Sequence, residues 1–197
     1  MEAARDCLLA DGYVNLSTRK VAERAGVPLS QIHYHFGGKQ GMVLAVLDRE
    51  NQRLVGRQRQ MYAASVPLWK RYEQACDFLD DDLTSGYVRV LQEMIAAGWS
   101  ADAVAEQVLV MLKAWIDILE AVAAEADARL GPLAPFTAGE LATLIGLAFL
   151  GGEAMILLGD QGWTQRVRTS LRRVGEFVRT WEEGVSSPPL PAAPVRA

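Results

Sequence analysis

His33 and His35 are the only two histidines of the 197-residue chain, and they stand two apart in the run Gln31-Ile32-His33-Tyr34-His35-Phe36. Histidine is the commonest metal ligand and the commonest general base, so a metal site and a proton-transfer site are the first chemistries to test. The neighbours argue against both. On a helix, residues i and i+2 point about 200° apart, at roughly 100° per residue, and cannot easily share one ion. The flanking residues read as helix, and no Asp, Glu or Cys lies between Arg24 and Asp48 to act as a third ligand. The chain also lacks a Ser or Cys nucleophile motif and a Gly-rich phosphate loop. A His-dependent metal enzyme is therefore the weakest reading, and no catalytic residue, metal ligand or cofactor is assigned. Two roles stay open for imidazoles at the end of a short helix. They can donate to DNA phosphates beside Tyr34 and Lys39, or His35 can pack and hydrogen-bond within its own domain.

The elements that would carry these side chains read as helices almost throughout. Met1 to Ala10 forms a first helix closed at Asp11-Gly12. Thr18 to Ala25 forms a second, with Val21, Ala22 and Ala25 on one face, Thr18 placed to cap it and Gly26 to end it. Pro28 suits the first turn of a third helix running to about His35, and Gly37-Gly38 break it. The second and third helices, joined by a tight glycine turn, make a helix-turn-helix. Val27 and Ile32 are expected to pack inward against Val21, leaving Leu29, Ser30, Gln31 and Tyr34 outward. A long helix follows from Lys39 to about Ala64, with Arg49, Arg53 and Arg57 as a basic stripe. Further helices are expected at 68–82, 85–98, 101–129, 138–158 and 163–183, with Ser100 and Thr137 as N-caps. The tail from Ser186 has four prolines in twelve residues and is expected to be disordered.

Composition agrees with a globular chain. Half the residues are hydrophobic and 22% are charged. Cys7 and Cys76 are too few for a disulfide framework and read as small buried residues in a reducing compartment. No signal peptide is visible. The segment Leu141 to Leu158 is the nearest approach to a membrane span, but it contains Glu153 and three glycines, so it reads as a buried helix of a soluble, cytoplasmic protein. The net charge of −4 is unevenly spread. Residues 18 to 60 hold eight basic and three acidic side chains, whereas 61 to 160 hold five basic and fifteen acidic ones. An acidic body with a basic end suits a protein that approaches a polyanion end-on.

The run STRKVAERAGVPLSQIHYHFGGKQGMVLAVL resembles the DNA-binding domain of the TetR family of transcriptional regulators. The resemblance covers about Ala3 to Leu47 and rests on Gly12-Tyr13, Thr18 and Ala22, the Ala25-Gly26-Val27 turn, and His35-Phe36 with Lys39 three residues on. It departs from the family at His33, where tyrosine is usual, and at Pro28, where serine often stands. Relatives also carry a basic arm upstream of the first helix. Either this chain's true start lies earlier or that arm is lacking.

The resemblance implies an all-α chain with three parts: a helix-turn-helix domain at 1–47, a helical ligand-binding and dimerisation domain at 48–185, and a tail at 186–197. It implies that Thr18 and Arg19 contact DNA at the start of the second helix and that Leu29, Ser30 and Gln31 face the bases. Gln31 suits an adenine edge and Leu29 a thymine methyl. His33, Tyr34 and Lys39 would hold phosphates. The implied partners are a palindromic DNA duplex, a second copy of the chain and a small-molecule ligand, with no membrane. Repression relieved by the ligand is the commoner outcome. Trp69, Tyr72, Met94, Trp99, Met111, Trp115 and Phe149 are candidates to line a ligand pocket. Glu153 and Asp117 are candidates to orient a polar or cationic ligand. Leu144, Leu147, Phe149, Ile156, Leu171, Val174 and Val178 are candidates for a four-helix dimer interface. A DNA-binding dimer without a physiological ligand, and a basic-ended adaptor for acidic proteins, are the rival non-enzyme readings.

Overall fold

A computed structural model describes residues 1–186. The expected disordered tail lies almost wholly outside the described residues. Among them the chain is all α, with nine helices and no strand. They are α1 Glu2–Asn15, α2 Thr18–Ala25, α3 Leu29–Phe36, α4 Lys39–Tyr62, α5 Leu68–Ser85, α6 Tyr87–Gly98, α7 Asp102–Leu130, α8 Ala138–Leu157 and α9 Gln161–Ser186.

The first three helices and the start of α4 form a head. Ala4, Cys7 and Leu8 of α1, Val21 and Ala22 of α2, Ile32 of α3, and Met42, Val43, Val46 and Leu47 of α4 are buried together. The expected stop at Gly12 is a kink instead. Gly12 leaves helical geometry at φ 78, and the helix resumes to Asn15. Thr18 is not the cap of α2; Ser17 holds that place, without a side-chain hydrogen bond. Gly26 ends α2 in the left-handed conformation at φ 66. Val27 differs from expectation, being 39% exposed.

In the body α4 packs on α5, α6 and α7, while α8 packs on α7 and α9 on α5 and α8; the core is continuous with the head's through Val88, Val90, Leu91 and Met94 of α6. The turn between α5 and α6 lies directly on α1. A Cβ on Gly86 would fall 2.4 Å from the Leu9 carbonyl oxygen, and Gly86 is at φ 85. Only glycine allows that approach. Arg71, buried, fastens the α4–α5 loop by donating to the Tyr62 and Val66 carbonyls, and pairs with Glu125 of α7 through two bonds. The N-terminus of α8 has a reciprocal capping box between Thr137 and Glu140. Ser100, in contrast, is not the cap of α7; Ala101 is.

Of the described helices, α8 is the one long and apolar enough to cross a membrane by length and composition. It packs here in a helical bundle with its Ala142, Gly146, Phe149 and Glu153 face inward. Leu144 and Leu147 on its other side, both interface candidates, are 49% and 58% exposed, so the helix is buried on one face only.

Candidate nucleic-acid interface and internal cavity

The short helix α3 is anchored by one buried residue, Ile32, and turns nearly everything else outward. Leu29, Ser30, Gln31, His33, Tyr34 and His35 are all exposed, Tyr34 at 84%. The two histidines answer to different surroundings. His35 Nε2 lies 3.1 Å from Gln31 Oε1, one turn back, so His35 orients the glutamine amide. Tyr34 meets the edge of the His35 ring at 5.1 Å between centroids. His33 has no such partner among the described residues. Among those residues, too, no cluster of three or more His, Cys, Asp or Glu side chains has the geometry to hold a metal.

Thr18 and Arg19 open α2, where the missing side-chain cap leaves first-turn N–H groups available to an anion. Arg19 is exposed and pairs with Glu23 one turn on. Lys39 is less free than the sequence suggests. Its Nζ donates to the Val14 carbonyl at 3.1 Å and lies 4.8 Å above the Tyr13 ring, so it stabilises the C-terminal end of α1. The basic stripe of α4 is likewise engaged within the chain. Arg49 pairs with Glu2, Arg53 with Glu50, and Arg57 with Asp82. These pairs tie α4 to the head and to α5 and do not form a free positive rail.

In the body, α4, α5, α6, α7 and α8 enclose a cavity of about 50 Å³. Its apolar walls include Leu54, Leu91, Met111, Trp115 and Phe149, and its polar groups are Asn51, Gln58, Tyr62, Asp82, Tyr87 and Glu153. Trp115 Nε1 donates to Gln58 Oε1 at 2.8 Å, and the Tyr87 hydroxyl to Asn51 Oδ1 at 3.3 Å. Burial pushes the Glu153 carboxyl up to about 7, against the opposing pull of the Gln92 amide, and the nearby Asp82 adds to the rise. Burial also pushes Asp82 up to about 6, although Arg57 lies 2.6 Å away. The Tyr62 and Tyr87 hydroxyls are raised by burial as well.

Three of the seven pocket candidates line this cavity, namely Met111, Trp115 and Phe149. Tyr72 does not line it but packs edge-on against Phe149 from outside. Met94 is sealed in the core between head and body. Trp99 is 82% exposed, because its helix ends at Gly98 and carries the ring outward. Trp69 lies at the surface between Lys70 and Arg179. Asp117 is exposed, whereas Glu153 is buried against the cavity. The polar lining residues Asn51, Gln58, Tyr62, Asp82 and Tyr87 were missed. They lie on three helices far apart in sequence, and no local pattern brings them together.

Among the interface candidates, Leu144, Leu147 and Val174 are exposed. Ile156 and Val178 are half-buried. Phe149 and Leu171 are corrected: at 6% exposure each they face the interior of their own chain. Phe177, at 69%, belongs with the exposed set instead.

Residues 1–46 match the family model described as bacterial regulatory proteins, tetR family. No curated protein sequence matches the chain. Solved structures match nearly all of it at low identity. A TetR-family transcriptional regulator from Pectobacterium atrosepticum is 16% identical, with 91% of this chain and 90% of that one covered at a TM-score of 0.71. A TetR transcription regulator from Haloarcula marismortui is 17% identical, with 89% and 94% covered and a TM-score of 0.73. The Bacillus subtilis regulator FadR, solved in complex with stearoyl-CoA, is 14% identical, with 90% and 94% covered and a TM-score of 0.65. Residues 1–46 thus match the tetR-family model, and the chain shares the fold of these solved regulators.

Proposed function

We propose that the protein is a cytoplasmic, dimeric, sequence-specific regulator of transcription, a repressor released from a palindromic operator when a small molecule opens the body cavity. The observation that carries this reading is α3: a helix of eight residues held by the buried Ile32 and the half-buried Phe36, with Leu29, Ser30, Gln31 and Tyr34 standing free at its outer face. That is the form of a helix made to enter a major groove. In this reading Leu29, Ser30 and Gln31 meet base edges, while Thr18, Arg19, His33 and Tyr34 meet phosphates. Lys39 reaches a phosphate only by leaving Val14.

The dimer is supported by Leu144 and Leu147 of α8 and Val174 and Phe177 of α9, large apolar side chains left bare on two helices packed against each other. The ligand is supported by the cavity, which joins aromatic walls to a few buried polar groups. At about 50 Å³ it holds a few waters at most. An organic ligand must therefore part its walls, and α6, which both lines the cavity and grips α1, moves with them. That displacement shifts the heads out of register with the operator. The same small volume favours the second reading, a DNA-binding dimer without a physiological ligand.

The deciding experiment selects binding sites from random duplex DNA and titrates the winner by anisotropy at low and high salt. A palindrome bound by two chains is the expected result. Weak, sequence-blind binding alone would sink the regulator reading.

A further inference from the structure

The charge balance of the cavity identifies what it would bind. Of the residues that line it, none is Lys, Arg or His, while two, Asp82 and Glu153, are acidic. The two acids are not equivalent. Asp82 already has a cation, the Arg57 guanidinium at 2.6 Å. Glu153 has none. It is 9% exposed, its Oε2 accepts only the Gln92 amide at 3.1 Å, and its other oxygen has no donor among the described residues. The Tyr87 hydroxyl, which could have donated to it, is turned to Asn51, and the Trp115 indole N–H is turned to Gln58. Four aromatic rings, those of Tyr62, Tyr87, Trp115 and Phe149, line the same space. A carboxyl without a counter-ion, set among aromatic faces, is complementary to a cation with an apolar body.

Resting on the reading that this cavity is the ligand site, we propose that it takes an organic ammonium ligand, with the charged nitrogen against Glu153 and the apolar body against Trp115 and Phe149. The groups on the cavity wall around Glu153 are consistent with this. Helix α6 presents Gln92 and Tyr87, α5 presents Asp82, and α4 presents Asn51 and, behind Asp82, Arg57; α7 contributes only uncharged side chains to the wall. Burial disfavours the charge of Glu153 and pushes its carboxyl up to about 7. A cationic ligand restores the charge and expels the proton.

The test uses the full chain and three probes of similar size: benzyltrimethylammonium, its uncharged isostere neopentylbenzene, and the anion 3-phenylpropionate. Calorimetry and Trp115 fluorescence report binding. The cation should bind at least about tenfold more tightly than the isostere, more tightly at about pH 8 than at about pH 6, and with proton release. Glu153→Gln should level cation and isostere and reduce the pH dependence to the part that Asp82 supplies. Equal affinity for the isostere, or preference for the anion, would overturn the charge assignment and leave the cavity as the ligand site. If no probe binds at millimolar concentration, both the ligand-site reading and this inference fall.

Discussion

Arg89 of α6 donates to the Leu9 carbonyl of α1 across 2.7 Å, and the same nitrogen reaches the Ala10 carbonyl at 3.2 Å. One turn further along α6, the Glu93 carboxylate accepts the Tyr13 backbone N–H just past the kink at Gly12. The kink interrupts the helical bonding of α1, and α6 supplies partners for the groups it frees. Because Tyr87, Val88 and Leu91 of α6 also line the cavity, one helix joins the body's interior to the head.

Arg89→Ala should therefore destabilise the protein by about 1–3 kcal/mol, since two carbonyls lose their donor. Urea unfolding measures this. The Tyr13 amide should exchange faster with solvent in Glu93→Ala, where its acceptor is gone. An unchanged urea midpoint together with an unchanged exchange rate would mean that α6 does not hold the kink.

Gln31 is the side chain most suited to reading a base, and His35 holds it from one turn away. Gln31→Ala should relax the preference at one base pair per half-site by about 1–3 kcal/mol. His35→Ala leaves the glutamine present but unsteered, so the loss should fall at the same base pair and be smaller. Sites selected by the two variants from random DNA decide this. An operator motif identical to the parent's would show that Gln31 is not a reader.

The head was legible in the sequence because its signals are local. The glycines at 26 and 37, the small Ala22 and the apolar Val21 and Ile32 fix a turn and a crossing within twenty residues. The two faces of α8 were not legible. The helix is apolar on all sides, so periodicity could not tell Phe149, which faces the cavity, from Leu147, which faces out. Trp99 misled for a related reason. Its type suggests burial, but its position one residue past the end of α6 turns it to solvent. Charge counting over residues 18–60 also overstated the free positive surface, because the partners of Arg49, Arg53 and Arg57 lie on α1, α4 itself and α5.

Leu147 and Phe177, at 58% and 69% exposure, are the most exposed of the large apolar side chains on the expected interface. Changing both to Asp should leave the monomer fold intact, since neither is part of the core, and should yield a monomeric mass by light scattering at micromolar concentration. Paired charges at the centre of an apolar interface are strongly disfavoured. A variant still dimeric would place the interface elsewhere.

Glu153 also makes stability depend on pH. Its folded value of about 7 lies above the ordinary 4.5. The folded chain therefore holds this proton over a range where the unfolded chain has released it. The contribution is fully present at low pH, falls as pH rises from the ordinary carboxylate range through about 7, and is then lost. The difference corresponds to a penalty on the order of 3 kcal/mol at alkaline pH. Glutamine has the same shape and no charge to desolvate. Glu153→Gln should accordingly be near neutral at about pH 5 and stabilising by roughly 2–4 kcal/mol at about pH 8. Asp82, raised to about 6, adds a pH dependence of the same sign, and it should persist in the variant. Urea melts of both proteins at the two pH values separate these contributions. A stability difference that is the same at both would show that Glu153 stays ionised in the folded state.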